Sequence, residues 1–214
     1  MTPRRSGRRK TFKHTPRKSN NLPLAIGLLT IIVVVIAAVY VFNMNNSGES
    51  NTPAGKILLQ TSMGDIIIQL RDDKPITTNN FKNLVQQGIY DGIIFHRVIY
   101  GFVVQGGDPT GTGYGDPSIP NIQDEIDDNN HNEYGTVAMA NSGEPNSGSS
   151  QFFINLDDNS EIVYEDGSTF DGTYTVFGTV ISGMNVVNEI SDVATDENYK
   201  PLIDVRIISA EIIS

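Results

Sequence analysis

Apolar and polar positions fall into two regimes along the chain. Residues 24–42 run nineteen positions without a charge in a block rich in Leu, Ile, Val and Ala. As a helix rising 1.5 Å per residue, such a block reaches about 28 Å, close to the roughly 30 Å hydrocarbon core of a bilayer. After residue 55 the apolar positions come in short runs instead. Residues 57–60 and 66–70 are β-rich and separated by Ser62-Met63-Gly64-Asp65, a hairpin signal. Pro75 opens a helix in which Phe81, Leu84 and Val85 share one face, and Gly88 ends it. Further strands are predicted at 95–99, 102–105, 136–140, 151–154, 175–180 and 204–212, with a second short helix over 184–190. Eight strands and two helices describe a mainly β domain, a closed eight-stranded antiparallel barrel capped by its helices.

Charge divides the chain at the same place as hydropathy. Arg4, Arg5, Arg8, Arg9, Lys10, Lys13, Arg17 and Lys18 precede the apolar block with no acid among them. Lys and Arg collect on the cytoplasmic side of a membrane helix, so the N-terminus is placed inside and everything after residue 42 outside. A cleaved signal peptide has an apolar core of about 7 to 15 residues and a small-residue exit. The core here is longer and leaves through Val39-Tyr40-Val41-Phe42, which favours an anchor that stays. Arg8-Arg9 does not make a twin-arginine signal, because Thr11 sits where that signal usually carries a large apolar residue.

The expected organisation is a basic cytoplasmic tail 1–23, a transmembrane signal anchor 24–42, a flexible Asn- and Ser-rich linker 43–53, and one domain 54–214. That places the protein in a plasma membrane, of bacterial type, as a single-pass anchor. Residues 43–214 hold 7 basic residues against all 25 acids, a net of −18. A surface so acidic repels phosphate backbones, so nucleic acid is excluded as a partner. Cysteine is absent, which removes disulfides, thiol nucleophiles and Cys-based metal sites. The spacing of Asp124, Glu125, Asp127 and Asp128 does not fit a calcium loop and reads as a solvated turn. Gly111-Thr112-Gly113-Tyr114-Gly115 lacks the Lys-Ser/Thr ending of a phosphate loop and reads as a turn-rich loop. No metal or cofactor is expected.

The candidate chemistry lies in Phe95-His96-Arg97-Val98-Ile99-Tyr100-Gly101-Phe102-Val103-Val104-Gln105-Gly106-Gly107-Asp108. It sets one cation and one amide among strand-forming apolar residues, with neither a nucleophile nor paired carboxylates. Such a set can bind a peptide and polarise it without attacking it. The stretch resembles the cyclophilin signature, in which FHR is followed by GF, a short gap and QGGD. Met139-Ala140-Asn141, then Ser150-Gln151-Phe152-Phe153-Ile154, resemble that family's second block, and Asp171-Gly172-Thr173-Tyr174-Thr175-Val176-Phe177-Gly178 its third. Three blocks in order identify 54–214 as a cyclophilin-like peptidyl-prolyl cis-trans isomerase domain, and the short basic anchor before it makes the expected protein bacterial-like and membrane-anchored.

The resemblance implies roles for particular residues. Arg97 is the donor toward the prolyl nitrogen, Gln105 holds the substrate backbone or the moving carbonyl, and Asn141 fixes the peptide through its main chain. Phe102, Val103 and Phe153 match the pocket for the proline ring. Gly111, Ala140, Gln151, Phe170 and Tyr174 line the remaining groove. Phe152 alternates to the opposite face and belongs to the core, and His96 points away from Arg97 and supports its strand.

Departures from the family pattern affect specificity. Thr169-Phe170-Asp171-Gly172-Thr173-Tyr174 lacks the family's tryptophan and puts tyrosine where histidine is common, Val103 replaces a common methionine, and the loop 155–169 is about eight residues longer than usual. Cyclosporin, which the family binds, is therefore expected to bind weakly. The implied partners are proline-containing unfolded or exported polypeptides, with the membrane held through 24–42. A competing reading keeps the groove but not the turnover: a non-catalytic proline-peptide module in an envelope assembly.

Overall fold

The computed structural model describes residues 55–214. The basic tail, the apolar run 24–42 and the linker 43–53 lie outside the described residues, and so do the calls made on them. Among the described residues, no helix is long and apolar enough to cross a membrane.

Eight strands form one antiparallel sheet: β1 (Lys56–Thr61), β2 (Gly64–Leu70), β3 (Arg97–Ile99), β4 (Val103–Gly106), β5 (Thr136–Met139), β6 (Phe152–Asn155), β7 (Val176–Ser182) and β8 (Ile207–Ile213). Their spatial order is β3-β4-β6-β5-β7-β2-β1-β8. Two helices accompany them, α1 (Pro75–Gln86) and α2 (Met184–Ser191). The predicted strands are all present, with ends no more than three residues from those expected.

One expectation needs correction. A fully closed barrel requires a ladder between the first and last strands of the order, and β3 and β8 form none; the sheet is a half-barrel. Residues just before each strand stitch the edges instead, through an isolated bridge between Ile94 and Arg206. Phe95 N–H donates to Val205 at 2.9 Å and Ile207 N–H to Ile93 at 2.8 Å. The run 95–99 reads as one strand from its composition, but Phe95 and His96 are spent on this closure and only Arg97–Ile99 joins the ladder.

Period-two alternation sorts the apolar side chains into two clusters. The larger one is the main core, with Ile57, Leu59, Ile66, Ile68, Val104, Phe152 and Ile154 among its members. Helix α1 presents Phe81 to it, 4.8 Å from the Tyr90 ring, 4.9 Å from Phe177 and 5.3 Å from Phe152. The smaller cluster, Val103, Ala138, Phe153, Phe170 and Val176, is separate from the first.

The acidic segment 124–128 is not a free solvated turn. Pro75 at the start of α1 has no N–H, and the next two amides, Ile76 and Thr77, donate to the two carboxylate oxygens of Glu125 at 2.9 and 2.8 Å. The Thr77 hydroxyl adds a third bond at 2.8 Å. The helix has no side-chain cap of its own, so a carboxylate 48 residues away closes its N-terminus, where negative charge also suits the helix dipole. Beside it Asp127 pairs at 2.6 Å with Lys74, whose side chain is only 1% exposed.

Candidate active site

The site is a row of side chains running across five strands. In register, Arg97 on β3 lies opposite Gln105 on β4, Gln105 opposite Phe153 on β6, Phe153 opposite Ala138 on β5, and Ala138 opposite Val176 on β7. Directly paired residues share a face, so the pairing carries the polar end, Arg97 and Gln105, into an apolar floor. The adjacent row, Val98, Val104, Ile154 and Val137, faces the main core.

The polar end is a relay of amides. The Arg97 guanidinium donates to Gln105 Oε1 at 3.1 Å, Gln105 Nε2 donates to Gln151 Oε1 at 3.0 Å, and Gln151 Nε2 donates to the Gly113 carbonyl at 3.0 Å. Each acceptor fixes the orientation of the amide before it. Arg97 also lies 6.0 Å above the Phe102 ring, a cation–π contact that holds its plane. Arg97 is half-buried, which shields its charge partly from water.

The apolar end is built from rings. Phe153 meets Phe170 at 5.6 Å and Tyr174 at 5.2 Å, and Phe102 meets Phe170 at 5.6 Å, all edge to face. Val103, Phe153 and Phe170 are buried, with Phe102, Ala140 and Tyr174 partly exposed at the rim. A cavity of about 620 Å³ opens beside the relay, lined by Gln105, Gln151, Ala140, Asn141 and the loop from Gly113 to Asn121. Asn141 ties two loops together: its Nδ2 donates to the Thr173 carbonyl at 2.7 Å and its Oδ1 accepts the Gly143 N–H at 3.0 Å.

Gly111 is the one candidate placed elsewhere. It lines a different cavity, with Asp91, Ile94, Lys200 and Arg206. Gly113, two residues on, supplies the carbonyl that reaches the groove. The turn that puts it there is organised by Asp108, which the sequence reading left without a role. Its carboxylate accepts the N–H groups of Thr110 at 2.8 Å, Thr112 at 3.1 Å, Gly113 at 2.7 Å and Gly115 at 3.2 Å. Burial opposes the charged form, but these bonds outweigh it and hold the carboxyl below the usual range. A signal for this was present, since an aspartate followed by a run of small residues is a loop-nucleating pattern.

The two glycines of the Gln-Gly-Gly-Asp run have separate causes. A Cβ on Gly106 would press on the Phe95 ring at 2.9 Å, and Gly107, at φ 87°, passes so close to the Ser150 carbonyl that no side chain fits. His96 is buried beside this turn, and burial pushes its ring below the ordinary histidine range against the opposing pull of Asp108. It is a neutral wedge at neutral pH.

The sequence model of the family described as "Cyclophilin type peptidyl-prolyl cis-trans isomerase/CLD" matches residues 56–212. The chain belongs to the cyclophilin family. Peptidyl-prolyl cis-trans isomerase ppi1 of Schizosaccharomyces pombe is 46% identical over 156 residues, 71% of this chain and 95% of that protein. Peptidyl-prolyl cis-trans isomerase CYP18-2 of Arabidopsis thaliana is 39% identical over 174 residues, 79% of this chain and 99% of that one. The crystal structure of a Cryptosporidium parvum cyclophilin type peptidyl-prolyl cis-trans isomerase superposes with a TM-score of 0.66 at 32% identity, covering 75% of this chain and 98% of that one. A second structure of that protein, in the presence of the dipeptide Ala-Pro, gives 0.65 at 32% identity, with coverage of 74% and 99%. This cyclophilin is a peptidyl-prolyl cis-trans isomerase. Its half-barrel, relay and ring-lined floor are the parts with which that activity has to be explained.

Proposed function

We propose that this cyclophilin turns over prolyl bonds through Arg97, at the outer face of a plasma membrane, on newly exported unfolded chains. Rotation about a peptide bond faces a barrier of about 18–20 kcal/mol because the C–N bond is partly double, and about a prolyl bond it takes tens to hundreds of seconds uncatalysed. In the twisted transition state the prolyl nitrogen regains a lone pair. A donor aimed at that nitrogen binds the twisted state and not the planar one, which is the condition for acceleration. The supporting observation is the paired placement of Arg97 and Gln105 at one end of a row whose other end is the apolar floor. A proline ring seated on Phe153 and Val103 brings its nitrogen toward the guanidinium.

In this reading Gln105, oriented by Gln151, holds the substrate main chain, and Ala140 and Asn141 offer theirs along the opposite wall. Tyr174 and Phe102 close the rim. The test is Arg97→Ala, expected to lower kcat/KM about a hundredfold, or about 2.7 kcal/mol, with a smaller change in peptide affinity. A folded variant with near-normal turnover sinks the mechanism. Retained peptide binding without turnover in the unmodified protein favours the non-catalytic module instead.

The membrane location rests on the apolar run 24–42 and its eight basic flanking residues. The relatives named above are eukaryotic, so the bacterial setting rests on that short basic anchor alone. Weak cyclosporin binding is proposed because the chain has no tryptophan.

A further inference from the structure

The lengthened loop before the third sequence block folds into a hairpin. Phe170 N–H donates to Ile162 at 2.9 Å and Tyr164 N–H to Ser168 at 2.8 Å, with a bridge between Val163 and Thr169. This geometry lays the Tyr164 ring over Phe170, centroids 6.4 Å apart and planes 28° from parallel. Phe170 is in turn 4.7 Å from Tyr174. Tyr164 remains 37% exposed: it is held by the pocket floor and open to solvent. A ring fixed by stacking offers contact area at little entropic cost.

A cavity of about 690 Å³ opens at this ring. It adjoins the peptide groove: Asn141 lines both cavities, and Tyr174 packs against the apolar floor. Its other walls carry Asp124, Glu144, Glu165 and Asp166. None of the four pairs with a lysine or arginine among the described residues. Asp124 and Asp166 are held in place by the backbone N–H groups of Asn146 and Ser168, at 2.7 and 2.9 Å.

We propose that Tyr164 is a specificity-determining residue: it forms an added wall of the peptide groove, and the cavity beside it takes a lysine or arginine flanking the substrate proline. A long basic side chain can lay its methylenes and charge along an aromatic ring while its head reaches carboxylates. The proposal rests on the groove beside Arg97 being the peptide site, and it adds a substrate class to that reading.

The test uses the full chain and proline peptides of one sequence carrying Lys, Gln or Glu either directly before or directly after the proline. Turnover is read by exchange NMR and affinity by titration of the same samples. In at least one set, kcat/KM and affinity fall in the order Lys, Gln, Glu over about tenfold, and the spread collapses in about 0.5 M salt. The double variant E165Q/D166N removes the ordering. Tyr164→Ala raises KM about fivefold for the Lys peptides and less for the Gln and Glu peptides, with little change in kcat, and Tyr164→Phe does not. Equal values across both sets, or an unchanged KM in Tyr164→Ala, overturns the proposal. Lys-selective binding without turnover supports the cavity while defeating the Arg97 mechanism, and turnover without selectivity does the reverse, so the two failures are distinct.

Discussion

Glu125 closes the N-terminus of α1 from a distant loop, and removing it should cost more than an ordinary surface mutation. Glu125→Ala frees the Ile76 and Thr77 amides and the Thr77 hydroxyl, all now bonded between 2.8 and 2.9 Å. Thr77 is fully buried, so water cannot replace its two bonds without opening the contact, whereas the Ile76 amide is open to solvent. Loss of an N-cap costs about 0.5–2 kcal/mol, and loss of a negative charge at a helix N-terminus about 0.3–1 kcal/mol more. The expected total is about 2 kcal/mol. In a domain of this size 1 kcal/mol shifts Tm by about 2–4 °C, so the melt should fall by about 4–8 °C. Glu125→Gln keeps one carbonyl acceptor and gives up the charge, and should fall about half as far.

The assay is thermal unfolding of both variants followed by circular dichroism, with Glu133→Ala, an exposed acid outside this contact, as the control. Glu125→Ala melting within about 1 °C of the unmodified protein would refute the view that this carboxylate holds the helix. Equal losses in Glu125→Gln and Glu125→Ala would refute the hydrogen-bond share of this estimate, because the carbonyl acceptor kept by Gln would then contribute nothing.

Other consequences are open to measurement. Burial favours the neutral His96 ring in the fold, so below the unfolded value of about 6.5 the unfolded chain takes up a proton that the native chain resists, and stability falls as pH drops from about 6.5. His131, raised by its hydrogen bond to Asp171, works the other way: its contribution is present below about 6.5 and is lost as pH rises through its folded pKa. Urea unfolding between pH 7.5 and 5.5 in a His131→Asn background should isolate the His96 slope, and His96→Gln should flatten it. Cyclosporin should inhibit weakly and Thr169→Trp should strengthen it; tight inhibition of the unmodified protein would show that the missing ring is unimportant. Protease added to intact cells should cut within 43–53 and release an active acidic domain, whereas release only after lysis would reverse the orientation.

What could be read from the sequence, and what could not, follows from the range of the interactions. Phe152 and Phe153 are adjacent and chemically identical, yet alternation alone sends one to the core and the other to the groove, because a strand's side chains have a fixed period. Arg97 and Gln105 are likewise eight residues apart on neighbouring strands of one hairpin-like pair, close enough for a local motif to carry both. Glu125 left no such trace. Its partners lie 48 and 49 residues away, and four acids in five positions look the same whether they face solvent or close a helix. Gly111 and Gly113 differ by two residues and end on opposite sides of a turn whose path is set by the buried carboxylate of Asp108. Tyr164 is harder still, since nothing in the loop 155–169, largely Asp, Asn, Glu and Ser, says that its one phenol will stack on Phe170. The shared machinery is therefore local and periodic, while the features peculiar to this chain arise where a loop meets a distant surface. It follows that the groove's chemistry should vary little when the loops are exchanged among relatives, and that its preference for one proline segment over another should move with the hairpin that carries Tyr164.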